Sequence, residues 1–124
     1  MKIRIKGNSI RLRLTRSEVE QLALTGHIEE VTEFGNSTFT YALETRSDID
    51  NLYADMIGTK MTMYIPATLA VDWAANNIVG FNNTIHTANG KQLALLLEKD
   101  FKCIDSEIVE DQSDNYDNPF TMCD

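Results

Sequence analysis

The sequence predicts an α+β fold, mainly antiparallel β, with about eight strands in four hairpins and two helices, curled into one sheet or closed into a barrel. Three observations predict it. Four turn signals, Gly7-Asn8, Gly35-Asn36, Gly58-Thr59 and Asn89-Gly90, each separate two short alternating or β-prone runs. Two helix-start signals interrupt those runs. The order hairpin, helix, hairpin then occurs twice, over residues 1–46 and 51–100.

The turn signals place strands at about 2–6, 9–15, 27–34, 37–45, 51–57, 60–65, 83–88 and 91–100. The first helix opens on a capping box, in which Thr15 caps and Glu18 reaches back to it. Val19, Leu22 and Ala23 give its apolar stripe, and Gly26 its stop. The second opens at Pro66, whose missing N–H is not needed in a first turn. Leu69, Ala70, Trp73 and Ala74 form its buried stripe. At an offset of 51, Ile10, Leu12, Leu14, Val19, Leu22 and Ala23 fall on Met61, Met63, Ile65, Ala70, Trp73 and Ala74. After a three-residue insertion, Asn36 and Glu44 fall on Gly90 and Glu98. This spacing predicts a pseudo-duplicated ββαββ unit around a shared core.

The chain of 124 residues, 43% apolar and 24% charged, fits a single domain. It has no membrane-length apolar run and no signal-like opening, which points to a cytoplasmic protein. Its net charge of −8 argues against nucleic acid as a partner. That charge is segregated: residues 1–16 carry +6, residues 17–99 carry −7, and residues 100–124 carry another −7. Residues 101–124 read as an acidic arm, with enough apolar side chains to lie over the domain.

A two-residue turn at Gly7-Asn8 fixes the register of the first hairpin, setting Ile5 against Ile10, Arg4 against Arg11, Ile3 against Leu12 and Lys2 against Arg13. Ile3, Ile5, Ile10, Leu12 and Leu14 then face the core, and Lys2, Arg4, Lys6, Arg11 and Arg13 share the other face. Like charges opposite one another are unfavourable, so something must neutralise them. Three occupants fit: glutamates 29, 30, 33 and 44 or the acidic arm; a phosphate or carboxylate held by the forked guanidinium groups; or an acidic partner protein.

Other chemistry is weakly signalled. Cys103 and Cys123 are separated by nineteen intervening residues, unlike the close pairs of structural zinc sites, and could form a metal site with His27 and His86 only through folding. Asp111, Asp114 and Asp117 lack the order of a calcium loop. Nucleophile elbows, phosphate loops and dinucleotide fingerprints are missing, so no cofactor and no catalytic residue is implied. The Arg11-Leu-Arg13 strand faintly resembles triphosphate tunnel enzymes, but the N-terminal Glu-x-Glu-x-Lys signature is missing.

The opening Met1–Thr15, the stretch Glu98-Lys-Asp-Phe-Lys-Cys103, and Glu110–Tyr116 with Asn118-Pro119 together resemble a family of small uncharacterised bacterial proteins of about this length. The resemblance implies a bacterial cytosolic protein in which the acidic arm is integral, and it lends no activity. The reading that results is a non-catalytic binding or protein-interaction domain using the basic hairpin face, with homo-oligomers allowed. An enzyme acting on a small anionic substrate and a metal-stabilised structural protein are the alternatives.

Overall fold

The computed structural model describes residues 1–101 and 116. In chain order they form β1 (Lys2–Ile5), β2 (Ser9–Leu14), α1 (Arg16–Thr25), β3 (His27–Glu33), β4 (Thr38–Arg46), β5 (Tyr53–Ile57), β6 (Lys60–Pro66), α2 (Ala67–Trp73), β7 (Gly80–His86) and β8 (Gln92–Lys99). The fold class is α+β, with the four hairpins where the turn signals put them.

The hairpins do not form one curled sheet or a barrel. They make two open four-stranded sheets, ordered β1-β2-β8-β7 and β3-β4-β6-β5. Nor is the pairing antiparallel throughout: β2 lies parallel to β8 and β4 parallel to β6. Each sheet thus combines one hairpin from each half of the chain, so the two ββαββ stretches interlock.

The two parallel seams share a register. Ser9 pairs with Ala94 and Leu12 with Leu97 in the first; Lys60 pairs with Thr40 and Met63 with Leu43 in the second. These positions correspond at the offsets of 51 and 54 read from the sequence. The three-residue insertion falls between α2 and β7, and three hydrogen bonds hold it. Trp73 Nε1 donates to Ile78 O at 2.8 Å, Ile78 N to Asn76 Oδ1 at 3.0 Å, and Lys99 Nζ to Asn76 O at 2.8 Å.

One core draws on both sheets and both helices. Leu12, Leu14, Leu95 and Leu97 come from one sheet, Leu43, Met61, Met63 and Ile65 from the other, and Val19, Leu22, Ala70 and Trp73 from the helices. Burying each large apolar side chain contributes about 2 kcal/mol. The capping box at α1 forms as expected, with Glu18 N donating to Thr15 Oγ1 and Thr15 N to Glu18 Oε1, and Gly26 ends the helix in the left-handed region at φ 74°. Pro66 sits one residue earlier than expected, as the cap of α2 and the last residue of β6.

Lys99 is the unexpected member of the interior. It alternates with Leu95 and Leu97 on the core side of β8, and is buried. Its Nζ lies 5.8 Å from the Trp73 ring centroid, and desolvation pulls its pKa below the ordinary lysine value. The amine serves a carbonyl just beyond the C-terminus of α2, where a cation is also favoured by the helix dipole.

Candidate anion-binding face

The first hairpin has the register expected of it: Lys2 against Arg13, Ile3 against Leu12, Arg4 against Arg11, and Ile5 against Ile10. Strand alternation therefore puts Lys2, Arg4, Arg11 and Arg13 on the outer side of β1 and β2, with Lys6 just beyond β1. Leu12 and Leu14 are fully buried and Ile3 and Ile10 pack against the core, but Ile5 is 57% exposed. Ile5 adjoins the turn on an edge strand. Lys2, Ile3, Arg4, Arg11 and Arg13 line a concavity of about 310 Å³ on this face.

The carboxylates beside these cations come from β8 and the residue that follows it. Glu98 Oε1 stands 3.5 Å from Arg11 Nη1 and 3.7 Å from Arg13 Nε, and Asp100 Oδ2 stands 3.0 Å from Lys2 Nζ. The parallel seam explains this, because it sets Arg13 beside Glu98 and Arg11 beside Leu96. Among the described residues, Arg4 and Lys6 have no carboxylate partner. Among the described residues, two acids stand beside the five cations.

Glutamates 29, 30, 33 and 44, expected to neutralise the hairpin, are engaged elsewhere. They belong to β3 and β4, and so to the other sheet. Glu29 Oε1 bonds Lys60 Nζ at 3.0 Å and His27 Nε2 at 3.1 Å, and Glu44 Oε1 bonds His27 Nδ1 at 3.2 Å. Lys60 and then His27 hold the Glu29 carboxyl below its usual pKa. Glu33 Oε1 accepts from Gly35 N at 2.9 Å. The acidic arm, Cys103 and Cys123 lie outside the described residues, Phe101 and Tyr116 excepted. Among the described residues, no group of three His, Cys, Asp or Glu side chains could hold a metal ion, and no helix is long and apolar enough to cross a membrane.

Glu30 meets a group that the sequence reading passed over, the chain's own α-amine. The Met1 amine is buried against Glu18 and lies 2.8 Å from Glu30 Oε2, while Tyr41 Oη donates to Met1 O at 3.2 Å. Desolvation lowers the amine's pKa, but hydrogen bonds to Glu18 and Glu30 and their charges outweigh it, so the value stands above the ordinary 8.0. Desolvation, then Glu30 and Glu18, likewise raise the Tyr41 hydroxyl above 10.0. A cation whose pKa rises on folding stabilises fully below its unfolded pKa and loses that contribution as pH climbs through the folded value. Melting temperature should therefore fall as pH rises above 8 through the Met1 amine, and above 10 through Tyr41 as well. Lys99 acts in the opposite direction, its burial being relieved towards pH 10.5. Glu18→Gln with Glu30→Gln should flatten the decline in a thermal melt series; an unchanged decline would remove the Met1 cage as its cause.

Glu98 and Asp100 are the site residues that sequence reasoning missed. Glu98 stands 54 positions after Glu44, a spacing legible in the sequence, but it carried meaning only with the parallel seam known. Over residues 1–120 the chain matches a family of unknown function, DUF7009. No curated protein and no solved structure matches.

Proposed function

The chain belongs to the DUF7009 family, a family of unknown function, and from that premise we propose that it is a non-catalytic binding domain holding an anionic partner on the outer face of β1 and β2. The concavity lined by Lys2, Arg4, Arg11 and Arg13 carries this reading. Forked guanidinium groups there can grip carboxylate or phosphate oxygens in pairs. The neighbouring acids favour binding over proton transfer. Glu98 and Asp100 are each ion-paired to the cations of the face, so they set the positions of those cations.

The net charge of −8 restricts the partner further. A long polyanion lying across the molecule would meet the acidic remainder of the surface, so the face suits a confined anionic patch or segment. We read the chain as one domain of two interlocked repeats, with this face at the first hairpin.

Titration calorimetry at low salt, with pyrophosphate and a polyglutamate peptide as probes, tests the reading. Arg4→Ala with Lys6→Ala should weaken binding by tenfold or more, because each lost charge-assisted hydrogen bond costs about 1.5–3 kcal/mol. Glu98→Gln should tighten it, since the probe then competes with one carboxylate fewer for Arg11 and Arg13. Equal binding by the wild type and the Arg4/Lys6 variant would overturn the reading.

A further inference from the structure

The interlocked halves give the two sheets equivalent outer faces with opposite chemistry. At the shared offsets, Lys2, Arg4, Arg11 and Arg13 correspond to Tyr53, Asp55, Thr62 and Tyr64, and Glu98 corresponds to Glu44. Four cations on the first sheet are thus replaced on the second by two tyrosines, a threonine and an aspartate around the retained glutamate.

The rest of the second face carries further acids, together with the exposed apolar Val31 and Ile57. Strand alternation puts Glu29 level with Asp55 and one step from Glu44, and Glu33 at the far end of β3 opposite Thr38, with Lys60 as a counter-charge already bonded to Glu29. Arg46 at its end is taken by Asp48. Among the described residues, Glu33 and Asp55 have no ion-pair partner. Tyr53 and Tyr64 stack at 6.3 Å, and Tyr53 is 43% exposed. Arg46 already lies over Tyr64 at 5.0 Å, so these rings accept guanidinium groups.

We propose that the anionic partner of the basic face is a second copy of this chain, which docks its β3-β4-β6-β5 face onto that basic face head to tail. The inference rests on the basic face being an anion-binding surface, and adds what occupies it. Two things favour a second copy. The faces are complementary in charge, with Arg4 and Lys6 unpaired on one and Glu33 and Asp55 on the other. They are also built on one strand frame with one register, so their twists match, as aligned sheet packing requires. Such a contact is heterologous: each added copy leaves one basic and one acidic face open, and the assembly grows.

Sedimentation of the full chain over a concentration series tests this. At low salt the wild type should form species larger than a dimer, and in high salt it should revert to monomer as the charges are screened. Arg4→Ala with Lys6→Ala removes from the basic face the two cations without a carboxylate partner, and Asp55→Lys spoils the acidic face. Each variant alone should associate at least tenfold more weakly than wild type, with its melting curve retained. Mixed, they should form dimers and nothing larger, since one intact face of each kind remains. A wild type that stays monomeric throughout, or variants that associate like wild type, would overturn the inference. Should polyglutamate still bind to such a monomer, the basic face keeps its function with another partner; should polyglutamate fail too, that reading falls separately.

Discussion

Trp73→Ala should lower the unfolding free energy by about 4 kcal/mol, within the range for deleting a large buried aromatic ring. The ring is fully buried at the end of α2 and packs on Phe81, with centroids 5.2 Å apart at 60°. Three losses coincide in the variant. A cavity opens between the helix and β7; Ile78 O loses its donor; and the buried Lys99 amine loses the ring face beneath it. Trp73→Phe keeps most of the volume and gives up the hydrogen bond, so about 2 kcal/mol is expected. Urea unfolding followed by circular dichroism is the measurement, because Trp73 is the only tryptophan. A loss below about 1 kcal/mol in the alanine variant would mean that the loop after α2 is not anchored through this ring.

Gly80→Ala should cost about 3 kcal/mol, the upper end for overpacking, because the obstacle is backbone. A Cβ at position 80 would lie 2.3 Å from Leu97 O and 3.0 Å from Glu98 Cα, neither of which can rotate aside. Gly80 pairs with Glu98 across the β7–β8 ladder, so displacement there also moves the carboxylate that Arg11 and Arg13 share. The variant should lose stability and bind polyglutamate differently, whereas a loss of stability alone would uncouple β7 from the basic face. Gly26, which stands 54 positions earlier just before β3, differs in cause. There the φ of 74° is the constraint, and the near neighbour is the Thr45 hydroxyl at 2.8 Å, which can turn away. Gly26→Ala should therefore cost less, about 1–2 kcal/mol.

Much of the molecule was legible because it is local. A Gly-Asn turn sets its own hairpin register, and the capping box and Gly26 bound α1 within twelve residues, so these features held. β7 was read too late, at 83–88 instead of Gly80–His86. Gly80, Asn82 and Asn83 are poor strand formers on their own, and pairing with β8 overrides that preference. The exposure of Ile5 escaped notice for a related reason: alternation says which face a side chain is on, while coverage of that face depends on distant elements.

The basic hairpin shows where the division falls. Its charges, its register and the five cations on one face are properties of the first sixteen residues, because backbone twist and side-chain alternation act over a few bonds. Which carboxylates meet those cations is a property of the tertiary structure. The parallel seam between β2 and β8 joins residues more than eighty positions apart, and it brings Glu98 to Arg11 and Arg13 while the glutamates of β3 and β4 go to the other sheet. No local signal distinguishes that seam from hairpins joined in chain order. Seam choice is settled by how two helices and the apolar faces of two sheets close around one core, and that energy belongs to the whole chain.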